Sequence, residues 1–262
     1  MPTGTPTAEI LAHLEELLEL GRFEDYCPNG LQVPGPADVR TVATGVSASA
    51  ELFELAARER ADLLIVHHGL FWGRTTGAID AQLRRRLKLL FDAEMALAAY
   101  HLPLDAHPQL GNNALLADAL GARRSETAAQ PFASHHGEPI GCLARFPGEG
   151  GIPAGELIER VRAVTGGREP LVLDAGPPSI RTLAIVTGAG SDHLAEAAAA
   201  GADALLTGEP AERALAQARE LGVRLIAAGH YATETLGVRA LGEHLAARYG
   251  VRHVFVDVPN PV

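Results

Sequence analysis

Apolar and polar positions change their spacing along the chain, and each change marks an element. Between residues 8 and 20 (AEILAHLEELLEL) apolar side chains recur at helical spacing, and Gly21 stops the run, which predicts a helix. From Arg40 onward the pattern becomes short continuous apolar runs, joined by Gly/Ser turns and amphipathic stretches. One such stretch, RTVATGVSASAELFELAARERADLLIVHHG, begins at Arg40, and a second, RTLAIVTGAGSDHLAEAAAAGADALLTGE, begins at Arg181. Aligned without a gap, Arg40-Thr41 falls on Arg181-Thr182 and Ala61-Asp62 falls on Ala202-Asp203. Each copy reads strand, turn, helix, strand: a βαβ unit with parallel strands and a right-handed crossover. One helix later, the first copy has a strand ending in AAY-His101-LPL-Asp105, and the second has one ending in AAG-His230-YAT-Glu234. Both are His-x-x-x-carboxylate directly after a strand. The chain reads as a duplicated α/β unit that presents side chains beyond the C-terminal strand ends, where open α/β sheets place their sites.

The remaining layout is ordinary. A turn-rich loop covers 26–33, and Gly/Pro-rich stretches between 125 and 178 surround strands at 140–146 and 171–174 and a helix at 154–164. A helix at 233–249 and a strand at 253–258 close the chain. Two α/β domains are expected, over 1–125 and 126–262, with the segment from about 230 to 262 packing back on the first.

Composition narrows the function classes. At 262 residues, with 47% apolar and 21% charged, the chain is an average soluble globular sequence, which excludes disordered and collagen-like architectures. The 22 basic and 32 acidic residues leave a net charge of −10, a poor basis for wrapping DNA or coating an anionic membrane. Arg84-Arg85-Arg86 and Arg123-Arg124 are local basic clusters that read as solvated helix faces. No apolar run approaches the ~18 residues of a membrane span, and the first residues lack the n- and h-regions of a secretory signal. Cys27 and Cys142 form no CxxC pair and read as small buried hydrophobes of a reduced, cytoplasmic protein.

Of eleven histidines, four stand at the mouths of expected strands: His67, His68, His101 and His230. Asp105 and Glu234 follow the last two at i+4. Imidazole with carboxylate suits Zn, Mn or Fe, while the lack of a thiolate pair excludes a Cys-rich structural zinc site. His230 and Glu234 share one helix face, the spacing at which two side chains grip one ion. Pro103 places the His101–Asp105 pair on a loop instead. His67 and His68 point oppositely from a strand; they either flank two ions or turn together where the strand ends at Gly69. Each motif alone has a bland reading: a His pair is usually a polar loop, and His-x-x-x-Glu a solvated helix contact. His135-His136, with no strand before it, is read that way. Two duplicated His-x-x-x-acid motifs plus a His-His, all after strands of one fold, turn the balance toward metal binding. Other signatures fail. TGAGSD at 187–192 lacks the third glycine of GxGxxG and reads as a tight βα connection; no phosphate-binding GxxxxGK[ST] or hydrolase GxSxG occurs.

Several motifs together resemble one family. PNGLQV at 28–33, HHGLFW at 67–72, YHLPLDAHPQLGNN at 100–113, TGE at 207–209 and GHYATE at 229–234 are similar to the NIF-three-like (NGG-one interacting factor three-like) family. Its bacterial members are often labelled GTP cyclohydrolase 1 type 2 homologues. The likeness runs from the first helix to the terminal VDVPNPV, and the length matches the family's short form. The resemblance implies two interlinked α/β domains, two divalent ions per chain (Zn, Fe or Mn) and a ring-shaped homohexamer built as a trimer of dimers. Carried over by motif, the metal ligands are His67, His68, Asp105, His230 and Glu234, with one carboxylate bridging. His101 is then a candidate for holding a ligand or facing the substrate.

Two functions from different classes follow. One is a metal-dependent hydrolase of cyclohydrolase type acting on a small molecule, with GTP as the candidate and a metal-bound hydroxide opening the ring. His101 or His107 would then move protons. The other is a hexameric ring that binds nucleic acid or a protein partner, its metals serving structure or regulation. Glu209 stands at the repeat position of His68. It either orients a ligand histidine through that ring's other nitrogen, or is a helix-start glutamate before Pro210.

Overall fold

Asp62 and Asp203, which the two sequence copies share, play one part twice. Asp62 Oδ2 accepts from the backbone N–H of Arg40 (2.8 Å) and Thr41 (2.9 Å). Asp203 Oδ2 accepts from Arg181 N (2.8 Å) and Thr182 N (2.9 Å) in the same way. Each carboxylate clasps the start of one strand to the start of its parallel neighbour. The Arg-Thr and Ala-Asp matches of the repeat are therefore the two halves of one clasp.

The computed structural model describes residues 4–73, 78–124 and 132–262. The chain divides into two compact units: Met1–Leu104 with Gly237–Val258, and Asp105–Leu236 with Pro259–Val262. The expected boundary at 125/126 lies outside the described residues. The chain leaves the first unit between Leu104 and Asp105 and rejoins it at Gly237.

The first unit is built on a five-stranded sheet in the order Arg252–Phe255, Thr41–Ser47, Leu63–His68, Ala96–Ala99, Gly30–Val33. The first four run parallel, and Gly30–Val33 pairs antiparallel with Ala96–Ala99. The central runs (TVATGV, LLIV, ALAA) are buried on both faces, the pattern that parallel sheets require. Helix Ala50–Arg58 covers this sheet through Leu52, Phe53 and Ala56; Ser49 Oγ caps it by accepting from Leu52 N at 3.1 Å. Cys27, Val66, Leu97 and Val256 lie in the same core.

The second unit repeats the theme. Thr182–Val186, Ala204–Thr207 and Arg224–Ala227 run parallel at the centre of a six-stranded sheet. Antiparallel strands flank them: Leu171–Leu173 on one side, Cys142–Arg145 and then Arg123–Arg124 on the other. Helix Ala154–Val164 packs Leu157 and Val161 into a core with Ile185, Leu206 and Ile226.

Some expected limits move. The first helix spans Thr7–Leu17 and gives way to a short 3-10 turn, Leu20–Arg22. The expected 140–146 strand contracts to Cys142–Arg145, and the closing strand is Arg252–Phe255. The last helix is two: His230–Thr233, then Thr235–Tyr249. His135 lies in a two-residue strand paired with Glu138–Pro139, not in a plain loop. Cys27 is buried and Cys142 only partly so; both are free thiols. Among the described residues, no helix is long and apolar enough to cross a membrane.

Candidate metal centre

In the first unit, His67 and His68 end the Leu63–His68 strand, and each is pinned sideways to a different neighbouring strand. His67, fully buried, directs Nδ1 to the backbone oxygen of Tyr100 (2.9 Å), just past the Ala96–Ala99 strand. His68 directs Nδ1 to Ser47 Oγ (3.0 Å), at the end of the Thr41–Ser47 strand. The two rings therefore turn together: their centroids are 4.7 Å apart. Ligand nitrogens of His67, His68 and His101 all lie within 4.8 Å of one another. With Nδ1 engaged in each, Nε2 is the nitrogen that each imidazole can turn to an ion.

His101 is held hardest. Its Nδ1 donates to Asp25 Oδ1 (2.8 Å), and its backbone N–H donates to Asn29 Oδ1 (2.8 Å). Asp25 accepts further from Cys27 N (3.0 Å), Asn29 Nδ2 (3.0 Å) and Leu102 N (2.9 Å). Burial pushes the Asp25 carboxyl's pKa up, but the hydrogen bond and charge of His101, with the Asn29 and Cys27 donors, outweigh it and hold the pKa at about 2. This lies below the ordinary value of 3.8, so the ionised form stabilises the fold fully above about pH 4. That contribution, about 2 kcal/mol, is lost as pH falls through about 2. Acid unfolding followed for wild type and Asp25→Asn should show their stability difference shrinking between pH 4 and 2. A constant difference across that window would remove the linkage.

The second unit gathers Asp105, His230 and Glu234. Asp105 Oδ1 accepts from Asn112 Nδ2 (2.8 Å) and Thr187 Oγ1 (3.1 Å). Carboxylate oxygens of Asp105 and Glu234 lie within 4.8 Å of each other. His230 Nδ1 donates to Glu209 Oε1 (2.5 Å), and its Nε2 stands 3.2 Å from Glu234 Oε2. Burial lowers the His230 pKa, but hydrogen bonds and charge from Glu234 and then Glu209 outweigh it and lift the value to about 9. Glu209 is therefore placed against His230, with its backbone N–H bonded to Gly188 O (2.9 Å). His107 is placed otherwise. Its Nδ1 accepts from Gln109 N (3.2 Å) and Leu110 N (2.9 Å), which makes it a turn-former, and no His/carboxylate cluster among the described residues includes it.

Three residues here were not singled out from sequence: Asp25, Ser47 and Gly188. A Cβ at Gly188 would lie 2.3 Å from Glu234 Oε1 and 3.1 Å from His230 Nε2. Only a glycine leaves this cradle open. The repeat held a signal for two of them, since Ser47 aligns with Gly188 and His68 with Glu209, and within each copy the two positions touch: Ser47 with His68, Gly188 with Glu209. Asp25 precedes the repeat and carries no such signal.

The sequence profile of the Duf34/NIF3 (NGG1p interacting factor 3) family matches residues 6–261. The chain belongs to this family. A Duf34/NIF3 relative from Pseudomonas aeruginosa, named GTP cyclohydrolase 1 type 2 homolog, is 44% identical over 252 residues, 96% of this chain and 97% of its own. Among solved structures, a protein called ybgI, described as of unknown function, superposes with a TM-score of 0.89 at 39% identity, covering 98% of this chain and all of its own. A Thermus thermophilus protein superposes with a TM-score of 0.83 at 36% identity, with 98% and 100% covered. The α/β fold with mixed sheets is the fold of these neighbours.

The donor set fits divalent ions. It is imidazole and carboxylate without thiolate, which suits Zn, Fe or Mn alike. His230 Nε2 and Glu234 Oε2 are separated by 3.2 Å, the spacing of two donors that each reach one ion at about 2.0–2.2 Å. His67 and His230 each have Nδ1 on a carbonyl or carboxylate oxygen, as metal-binding histidines do.

Proposed function

We propose that the chain is a metal-dependent hydrolase of cyclohydrolase type, in which His67, His68, Asp105, His230 and Glu234 hold two divalent ions. The observation that carries this reading is the prepared donor set: His67 and His68 with their nitrogens within ligand spacing in the first unit, and a His230–Glu234 pair with an adjacent Asp105 in the second. Two such ions supply Lewis acidity and a water of lowered pKa. The chain's own residues orient and move protons. Tyr100 O and Ser47 Oγ fix the His67 and His68 rings, Asn112 and Thr187 fix Asp105, and Glu209 fixes His230. Ring opening adds one water across a C–N bond, so the departing nitrogen needs a proton. His101, with Nδ1 on Asp25, would take a proton at Nε2 from the attacking water and pass it to that nitrogen. GTP is the candidate substrate because the curated relatives carry that name.

The test is incubation of metal-loaded protein with GTP and a panel of cyclic amides, beside a His68→Ala control. Ring-opened product from wild type alone is expected. No product, or equal product from the control, removes the hydrolase. The metals and the homohexamer belong to the same reading; elemental analysis should find two ions per chain in a particle of six chains. A nucleic-acid-binding ring has less support. The net charge is −10, and Arg85 and Arg124 are already bonded to Glu54 and Asp118.

A further inference from the structure

The loop between the first helix and the Gly30–Val33 strand has no part in the ligand set, yet it delivers one buried carboxylate. The Asp25 side chain is 2% exposed and that of His101 12%. Both Asp25 oxygens are saturated: Oδ1 takes Cys27 N and His101 Nδ1, and Oδ2 takes Asn29 Nδ2 and Leu102 N. A carboxylate bonded in this way cannot rotate away from His101. Because it only accepts, it also dictates the tautomer, placing the imidazole proton on Nδ1 and the lone pair on Nε2.

The partner of Nδ1 separates His101 from both of its neighbours, and two further features separate it from His67. His67 and His68 rest on a carbonyl and a hydroxyl, whereas His101 rests on an ionised group. His67 is fully buried, whereas His101 reaches solvent. His101 also lies against two exposed aromatic rings, Trp72 at 5.1 Å and Tyr26 at 6.0 Å between centroids, so it borders the open side of the cluster. A buried carboxylate on Nδ1 that leaves Nε2 for the reacting group is the arrangement of a proton-transferring histidine in hydrolytic sites.

We propose that Asp25 is the positioning residue of His101, and that His101 so held is a proton acceptor beside the metals and not one of their ligands. The inference rests on the hydrolase reading above but adds a residue and a division of labour to it. The same device recurs in the second unit from an unrelated chain position, where Glu209 holds Nδ1 of His230, the repeat mate of His101. In the first unit the carboxylate comes from outside the repeat.

The experiment uses the full chain loaded with zinc, with ¹⁵N-labelled histidine followed by long-range ¹H–¹⁵N NMR. Wild type should show His101 protonated at Nδ1 with Nε2 bare. Asp25→Asn should show a mixture of tautomers or the reverse one, and Asp25→Glu should restore the wild-type signature. Elemental analysis should find the same zinc content in wild type and His101→Gln. A wild-type His101 protonated at Nε2 overturns the proposal, as does a His101→Gln protein that has lost an ion, since His101 would then be a ligand. If Asp25→Asn does not fold, the wild-type tautomer and the His101→Gln metal content decide alone. A wild-type protein that takes up no zinc defeats the hydrolase reading, while the tautomer still reports on Asp25. Any substrate found adds a second readout: His101→Gln should lower kcat by about 100-fold or more with KM retained. An unchanged kcat would sink the acceptor role.

Discussion

Glu234→Gln should abolish metal loading while leaving the fold in place. The Glu234 side chain is 3% exposed, with Oε2 3.2 Å from His230 Nε2, so its charge is compensated at short range in a poorly solvated place. Glutamine keeps the volume but removes the negative charge and one of the two oxygens that can face an ion. An ion would then meet an amide where it needs an anion, and affinity should fall by at least about 100-fold, or roughly 2.8 kcal/mol. Removal of Glu234 also takes away the hydrogen bond and charge that most raise the His230 pKa, so that pKa should drop from about 9. Two measurements check this. Wild-type protein with metal at 100 times its Kd should gain about 2.7 kcal/mol of stability, and the variant at the same metal concentration no more than about 0.4 kcal/mol. Elemental analysis should show the variant depleted of metal. A variant that retains both ions and the metal-induced stabilisation would take Glu234 out of the site.

What the sequence revealed follows from where each signal is stored. The parallel strands were legible because their apolar runs are local and continuous, and the duplication because its clasp residues repeat at one fixed offset. The histidine positions were legible because strand ends are marked by Gly69 and by the duplicated His-x-x-x-acid motif. The break near Glu234 was not. Thr233 Oγ1 bonds back to Gly229 O (3.0 Å) and His230 O (2.9 Å) and closes a separate helical turn, which no apolar period records. The position of the break between Leu104 and Asp105 was equally hidden. Arg252–Phe255 pairs with Thr41–Ser47 across most of the chain, and only that long-range ladder shows why the last helix rejoins the first unit. Asp25 meets His101 across 76 residues, and nothing near it in sequence signals a partner.

Gly188 provides a test in which space and backbone strain are separable. Its φ is +66°, a left-handed conformation that costs an alanine roughly 1–2 kcal/mol. The backbone cannot shift to relieve a substitution. Gly188 O accepts from Gly208 N (2.8 Å), Glu209 N (2.9 Å) and Thr207 Oγ1 (3.0 Å), and Gly188 N donates to Thr233 Oγ1 (3.2 Å). An added methyl, 2.3 Å from Glu234 Oε1, must therefore displace the carboxylate, and it also crowds His230 Nε2 at 3.1 Å. Gly222 has the same φ of +66°, but a Cβ there meets nothing closer than Ala175 O at 4.0 Å. Gly188→Ala and Gly222→Ala should thus share a backbone cost of about 1–2 kcal/mol, read from denaturant unfolding without metal. Only Gly188→Ala should also lose metal affinity, by about tenfold or more, because a donor moved off its position no longer reaches an ion at about 2.0–2.2 Å. Equal metal affinity in the two variants would mean that the His230–Glu234 pair binds no ion, whatever the strain at residue 188.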